Sequence, residues 1–269
     1  MKTEYISGLP VDNLTEETLR QDLPVYITSG RKMMVTSVNP QISLQVERYP
    51  QVKAYIERAT HRLPDGVGIV KMSKYLGGTI RKRVTGIDVM DMMLRYADEQ
   101  GHRIFLYGAK KEIVKKAAKN IAKDYPNLVV AGYLHGFTTR EPEKIVDKIN
   151  AANPTFLFVA LGSPKQELFL EAQVDNLNAS VFLDVGGTFD VLSGEVKRAP
   201  KIFIKLNLEW LYRSVRYGRW DRLKQIPQFL IKSWQMRWQS RKPGKENQAN
   251  NNLTPGKGTQ SLHKGRGAS

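Results

Sequence analysis

The chain has 269 residues, of which 41% are hydrophobic, and a formal net charge of +16. That length and apolar content indicate a folded protein with a sizeable core rather than a disordered chain. The sequence contains no cysteine, which excludes disulfides, thiolate metal sites and cysteine nucleophiles.

The positive charge is concentrated near the C-terminal end. Residues 197–269 contain 17 Lys and Arg against 3 Asp and Glu, whereas residues 1–196 contain 25 against 23. Such asymmetry predicts an anionic partner for one region, either nucleic acid or an anionic membrane surface. The first residues, MKTEYISGLP, lack the apolar core of a signal peptide, and no apolar run approaches the ~20 residues of a spanning helix, so we expect a cytoplasmic protein.

Short β-rich runs alternate with helical patterns through most of the chain. Strands are predicted over 32–39, 103–108, 127–133, 155–162 and 180–187. Helices are predicted over 85–101, 110–125, 141–153 and 164–177. This alternation predicts an α/β fold with a Rossmann-like, mainly parallel sheet and helices on both faces, whose ligands bind where strands end.

From Pro200 the pattern becomes basic, aromatic and helical, and all 4 Trp residues lie beyond it. After Arg241 the composition shifts to Asn, Gln, Gly, Lys and Pro, which is typical of disorder. We therefore divide the chain into an α/β domain over 1–196, a basic aromatic helical appendage over 197–242 and a disordered tail over 243–269.

Asp65, in the stretch RLPDGVGIV (62–70), lies between a proline and a glycine just before a helical pattern. One interpretation is a helix N-cap, since Asp is favoured there and its charge suits the positive end of a helix. The other is a general base, because a carboxylate in a strand-to-helix loop lies at the usual ligand crevice. The local pattern alone favours the cap.

Other loops could bind anions. The stretch RKRVTGID (81–88) places three basic residues before a helix, which suits a diphosphate, although a solvated basic loop has the same composition. FLYGAKKE and VALGSPKQE each place a glycine between a strand and a helix, but neither is G-x-G-x-x-G or a P-loop, and plain turns look alike. There is no D-x-D pair, no G-x-S-x-G, and no ligand spacing among the 4 histidines, so we expect no metal and no serine hydrolysis.

Taken together and in order, seven motifs resemble the WecG/TagA/CpsF family of bacterial glycosyltransferases over roughly residues 5–225. The motifs are TSVNP (36–40), LPDGVGIV (63–70), RVTGID (83–88), FLYGA (105–109), LGSPKQE (161–167), VGGTFDVLSGEVKRAP (185–200) and LEWLYR (208–213). The resemblance implies that residues 1–196 form a catalytic domain, and it reverses the local preference at Asp65.

The implied activity is transfer of a sugar from a UDP-sugar to a polyprenyl-diphosphate-linked acetylhexosamine, with inversion and without cofactor or metal. The best-known members pass N-acetylmannosamine to undecaprenyl-diphosphate-GlcNAc in teichoic-acid synthesis, and others use hexoses or uronic acids for capsule, exopolysaccharide or common antigen. Ser37-Val38, within the first motif, and Ser163, where relatives often carry methionine, depart from the family pattern and leave the sugar open.

The resemblance also assigns roles to residues. Asp65 matches the proposed base, with Thr36 and Asn39 lining the pocket beside it, while Arg83 would neutralise the diphosphate. Arg213 would either reach the site or contact lipid headgroups. Further residues expected to bind substrate are Thr85, Asp88, Gly108, Gly162, Lys165, Gln166, Glu167, Gly187 and Asp190.

The appendage is expected to hold the enzyme on the inner face of the plasma membrane, with its early helix packed on the core and 216–238 facing lipid. Two other functions remain compatible with parts of the sequence. The basic, aromatic C-terminal region could bind nucleic acid, although the motifs of the near-neutral body then have no use. A nucleotide-dependent methyltransferase could share the same type of sheet. The family resemblance implies that the protein has no nucleic-acid partner.

Overall fold

The structure is a computed structural model that describes residues 1–200, 202–203, 208–216, 218, 225 and 227–234. Its strands are β1 (Lys2–Ile6), β2 (Leu9–Asn13), β3 (Met33–Val38), β4 (His61–Pro64), β5 (Arg103–Gly108), β6 (Val129–Leu134), β7 (Phe156–Ala160) and β8 (Val181–Asp184). Its helices are α1 (Glu16–Ser29), α2 (Pro40–Gln45), α3 (Pro50–Arg58), α4 (Val67–Tyr75), α5 (Gly86–Glu99), α6 (Lys111–Asp124), α7 (Pro142–Ala151), α8 (Lys165–Gln173), α9 (Thr188–Leu192) and α10 (Glu209–Arg216). Residues 227–234 are also helical.

A six-stranded parallel sheet forms the centre, in the order β4-β3-β8-β7-β5-β6. The central strands β7 and β8 are buried along their whole length, which explains their continuous apolar sequences FLFVA and VFLD. All six strands deliver their carboxyl ends to one edge of the sheet. The predicted α/β fold is therefore confirmed.

The five predicted strands and four predicted helices all form, with ends displaced by a few residues. Strand β4, the hairpin of β1 and β2, and helices α1 to α3 were not predicted. Strand β4 has four residues and ends in proline, so it shows no periodicity that a pattern could reveal. In the hairpin, most of β1 is exposed and β2 is mostly buried, so neither strand alternates cleanly.

The hairpin is tied to β4 by a buried ion pair. Asp12 is fully buried, and its Oδ2 accepts hydrogen bonds from the backbone N–H of Arg62 at 2.8 Å and from its Nε at 2.9 Å. A buried carboxylate is stable only when it is paired and hydrogen-bonded in this way. The pair therefore holds in place the strand that ends just before Asp65.

Three apolar clusters hold the helices in place. One joins α1, α5 and α6 to one face of the sheet, and a second joins α3, α7 and α8 to the other. The third lies beyond the β4 edge and combines the hairpin, α2 and α4 with Phe229 of the segment 227–234. The sheet is thus covered on both faces, as the sequence predicted.

Part of the appendage is packed on this third cluster. Phe229 is fully buried, and the Ser7 and Ser233 hydroxyls are hydrogen-bonded to each other. Lys232 donates to the Ser43 carbonyl at 2.5 Å and pairs with Glu47 at 2.9 Å. The expectation that 216–238 faces lipid is therefore wrong at Phe229, because that side chain completes an apolar core.

The opposite side of the same segment is open to solvent, with Leu230, Ile231 and Trp234 exposed by 43%, 56% and 51%. The expected tail over 243–269 lies outside the described residues, and the division of the chain at 196 and 242 stays a prediction. Within the described ranges, no helix combines the length and the apolar character needed to cross a membrane.

Phe229→Ala should lower the free energy of unfolding by about 3 kcal/mol, because it removes a fully buried aromatic ring and leaves a cavity. Urea denaturation measures the change. Ile231→Ala is the matched control, since that side chain is half exposed, and should have a much smaller effect. Equal losses for the two variants would contradict the packing of this segment on the core.

Candidate active site

A cavity of about 1230 Å³ lies at the carboxyl ends of the parallel strands. Its wall includes residues that follow β3, β4, β5, β6, β7 and β8, which is where ligands bind in open parallel sheets. The predicted site residues that line it are Asn39, Asp65, Arg83, Thr85, Gly162, Lys165, Gln166, Glu167, Gly187 and Asp190. The fold therefore gathers most of the predicted set around one cavity.

Asp65 follows β4 directly, half-buried on the cavity wall. Its backbone N–H donates to the carbonyls of Val38 and Leu63, at 3.0 and 2.9 Å, which fixes the turn. The N-cap of α4 is Gly66, with φ of 103°, and no side-chain hydrogen bond caps that helix. Asp65 thus precedes the N-cap position of α4 and lines the cavity.

Thr36 and Asn39 occupy different layers of the site. Asn39 lines the cavity and caps α2, its Oδ1 accepting from the Ile42 N–H at 3.0 Å. Thr36 is fully buried beneath the cavity and does not line it. Its hydroxyl donates to Oδ2 of Asp184 at 2.7 Å. Thr36 can thus influence the cavity only through Asp184.

Arg83 lines the cavity just before α5 and is held by a residue from the C-terminal region. Its Nη2 lies 3.2 Å from Oε2 of Glu209, at the start of α10, and both side chains are largely buried. Thr85 caps α5 by accepting the Asp88 N–H at 3.3 Å. An arginine beside a helix N-terminus gives this part of the wall a positive potential suited to a phosphate group.

Two further predicted residues belong to α5 and α10. Asp88 accepts the Thr85 hydroxyl at 2.5 Å and an Arg198 N–H at 2.6 Å, so it stabilises the first turn of α5 and does not line the cavity. Arg213 lies in α10, and its side chain falls outside what the structure describes.

The glycines after β5 and β7 differ in role. Gly108 has a φ of 135°, and a Cβ there would lie 2.3 Å from the backbone of Ala160. Its lack of a side chain is thus required by strand packing, and it does not line the cavity. Gly162, with a φ of 77°, does line it and has open space where a Cβ would be.

Gln166 and Glu167, at the start of α8, connect two cavity loops. The Gly186 N–H donates to Oε1 of Gln166 at 3.2 Å, and Nε2 of Gln166 donates to Oε1 of Glu167 at 3.1 Å. Within the described part of the chain, Oε2 of Glu167 is buried and has no hydrogen-bond partner. Glu167 therefore contributes a buried carboxyl group with one unsatisfied oxygen to this wall.

Asp184, at the end of β8, is a site residue that the sequence did not reveal. It lines the cavity floor, almost fully buried, and also accepts the Ser37 N–H at 3.3 Å. Burial raises the pKa of its carboxyl group well above the usual value, and the neighbouring Glu167 raises it further. Burial also raises the pKa of Glu167. An acidic residue at a strand end was the available signal, hidden in an apolar run.

No three His, Asp or Glu side chains of the described residues are grouped so that they could hold a metal ion. The cavity instead combines a half-buried carboxylate, Asp65, with the cations of Arg83 and Lys165. Enzymes with a parallel α/β sheet bind their substrates in such a cavity at the carboxyl edge, and the cations here suit an anionic group.

A family model for the glycosyl transferase WecG/TagA/CpsF family matches residues 4–243. The chain belongs to this family, and the resemblance drawn from its motifs is confirmed. The matched residues include the motifs of the α/β domain, which a nucleic-acid-binding function would leave unexplained. The match therefore supports neither nucleic-acid binding nor a methyltransferase.

Several curated proteins are similar over most of their length. They include proteins named N-acetylglucosaminyldiphosphoundecaprenol N-acetyl-beta-D-mannosaminyltransferase. The protein from Bacillus subtilis strain 168 is 36% identical over 86% of this chain and 91% of its own length. The protein from Bacillus spizizenii is 34% identical over 86% of this chain and 90% of its own length. The protein of that name in Staphylococcus aureus strain NCTC 8325 is 34% identical over 84% of this chain and 90% of its own.

Asp184→Asn should reduce the loss of folding stability that occurs as pH rises. In the unfolded chain an Asp carboxyl group has a pKa of about 3.9. In the folded wild type the pKa of Asp184 is higher, so the folded state keeps this proton to a higher pH. The free energy of unfolding therefore falls as pH rises from about 4 through the raised pKa of the folded protein.

Urea unfolding between about pH 5 and about pH 9 measures this loss, which should be smaller in the variant because the amide does not ionise. Asp147→Asn, at an exposed position on α7, is the control and should leave the profile unchanged. An unchanged profile for Asp184→Asn would contradict the burial of a proton at this site.

Proposed function

We propose that the protein is an inverting glycosyltransferase that transfers N-acetylmannosamine from a UDP-sugar to undecaprenyl-diphosphate-linked GlcNAc, in teichoic-acid or related cell-surface polysaccharide synthesis. The names of the relatives, at 34–36% identity over most of the chain, support this choice of sugar and acceptor. The observation that carries the mechanism is the position of Asp65 on the cavity wall, directly after β4 and one residue before the N-cap of α4.

Asp65 is the general base of the proposed reaction. Its carboxylate takes the proton from the acceptor hydroxyl, whose oxygen attacks the anomeric carbon of the donor sugar. The bond from that carbon to the diphosphate oxygen breaks on the opposite side, and its electron pair leaves with UDP. One base and a single displacement invert the anomeric centre.

Positive charge near the leaving diphosphate is supplied by the protein itself. Arg83, with the N-terminal end of α5 beside it, stabilises the charge that develops on departing UDP. Lys165 lines the same cavity and adds to this field. Glu209 keeps Arg83 oriented, and its carboxylate leaves other N–H groups of the guanidinium for the diphosphate.

Polar groups on the remaining walls position the two sugars. Gln166 contacts donor or acceptor, and Asp190 and Thr85 lie on the same cavity wall as further hydrogen-bonding groups. Gly162 and Gly187 allow the substrate to approach the backbone. Thr36 acts indirectly, by orienting Asp184 beneath the cavity.

The lipid-linked acceptor requires the enzyme to work at the inner face of the plasma membrane. The appendage over 197–242 carries 13 Lys and Arg against 2 Asp and Glu. Such a basic region is attracted to anionic headgroups, and the half-exposed Ile231 and Trp234 suit the interface. Transfer of another hexose or a uronic acid to a different lipid-linked sugar is the second candidate, because the departures at Ser37-Val38 and Ser163 leave the identity of the sugar open. A panel of UDP-sugars against lipid-linked GlcNAc and glucose separates the two.

Asp65→Asn should lower kcat by about a hundred- to ten-thousandfold, because the amide cannot accept the hydroxyl proton. UDP affinity should stay within about twofold, since the fold and the cations are unchanged. UDP release with a short-chain lipid-diphosphate-GlcNAc acceptor, with and without EDTA, measures the rate. Asp147→Asn is the control on the protein surface, and full activity of Asp65→Asn would remove the base role.

The whole chain should sediment with vesicles that contain phosphatidylglycerol, and increasing salt should weaken this binding, because exposed Lys and Arg contribute roughly 1 kcal/mol each near an anionic surface. Neutral phosphatidylcholine vesicles are the matched comparison. Strong, steeply salt-dependent binding to oligonucleotides without binding to anionic vesicles would contradict the membrane role.

A further inference from the structure

Helix α4 extends the cavity wall away from Asp65. Val67, Gly68 and Lys71 all line the cavity. Val67 and Lys71 are one turn apart and therefore project from the same face of the helix. The wall that begins with the carboxylate of Asp65 thus continues with an apolar side chain and then a cation.

The helical segment 227–234 lies directly against this wall. A Cβ on Gly68 would lie 2.9 Å from Pro40 and 3.4 Å from the Phe229 ring, so the glycine permits the close contact. Leu230, the residue after Phe229, lines the cavity. Ile231 and Trp234 are half exposed beyond it. An apolar strip therefore leads from the cavity to the protein surface.

Lys71 provides a positive charge on the same cavity wall. It is exposed, and among the described residues no carboxylate lies within ion-pair distance of its Nζ. By contrast, Arg83 in the same cavity is paired with Glu209, and Lys232 on the neighbouring segment is paired with Glu47. A lysine without an internal carboxylate partner is suited to bind a phosphate group.

This wall combines a carboxylate, a cation and an apolar strip, which match the three parts of the acceptor: a sugar hydroxyl, a diphosphate and a polyprenyl chain. We propose that α4 and the segment 227–234 form the acceptor subsite, in which Lys71 binds the acceptor diphosphate and Leu230, Ile231 and Trp234 contact the first isoprenyl units. The inference rests on the proposed function and adds to it. Arg83, on another part of the wall, is left for the diphosphate of the donor.

Lys71→Gln should raise the KM for the lipid-linked acceptor by roughly ten- to a hundredfold, the loss of a charge-assisted hydrogen bond to phosphate. The KM for the UDP-sugar and the affinity for UDP should stay within about twofold. Lys74→Gln is the matched control, because Lys74 is exposed on the same helix but does not line the cavity. A rise in the KM for the donor, or no change for the acceptor, would overturn the assignment of Lys71.

The variant Leu230→Ser tests the contribution of the apolar strip separately from that of the Lys71 cation. It should raise the KM for an acceptor with three isoprenyl units by about tenfold and leave unchanged the KM for an acceptor whose diphosphate carries only a methyl group. Lys71→Gln should affect both acceptors. Val215→Ser, at an exposed position on α10, is the control. Equal effects of Leu230→Ser on the two acceptors would exclude contact with the chain.

Farnesyl diphosphate distinguishes failure of this inference from failure of the proposed function. Its binding to the full chain, measured by calorimetry, requires no transfer reaction, and Lys71→Gln should weaken it by at least about tenfold. If the wild type transfers no sugar but this loss is observed, the proposed function fails and the subsite stands. If transfer occurs but Lys71→Gln binds farnesyl diphosphate as the wild type does, the subsite is wrong.

Discussion

The hydrogen bonds that join the Asp184 carboxyl group to the end of β3 determine the arrangement of the cavity. They come from the Thr36 hydroxyl and the Ser37 N–H, so the ends of two adjacent strands are held together beneath the cavity floor. Strand β3 leads into Asn39, and β8 leads into Gly186, whose N–H is bound by Gln166. Three loops are thus positioned by one buried group, and a small displacement there would move the walls on both sides of the site.

The same burial determines the charge of the cavity. Several carboxyl groups line it, which would repel a diphosphate if all were ionised. Burial raises the pKa of both Asp184 and Glu167, so these two acids retain protons more readily than exposed ones. The positive charges of Arg83 and Lys165 are therefore opposed less strongly.

The sequence was most informative where a residue follows a strand and precedes a helix. Asp65 could be placed in this way, because parallel strands end at a common edge, whereas Arg83 was placed by the helix that follows it. Asp184 could not, since its burial depends on the pairing of β8 with β3, whose hydrogen-bonded residues are 148 positions apart. Phe229 was misjudged for a related reason. Basic and aromatic residues around it suggest a lipid-facing helix, and only the third apolar cluster shows that its ring is buried.

The contact between Phe229 and α4 makes the appendage part of the structural core. A chain cut at residue 196 would lose the Phe229 ring from the apolar cluster that also contains Ile42, Ile69 and Met72. Their apolar surface would then be exposed to water beside the cavity, where it would favour aggregation. Removing the basic region therefore also removes part of the apolar core, so the appendage cannot be treated as a detachable anchor.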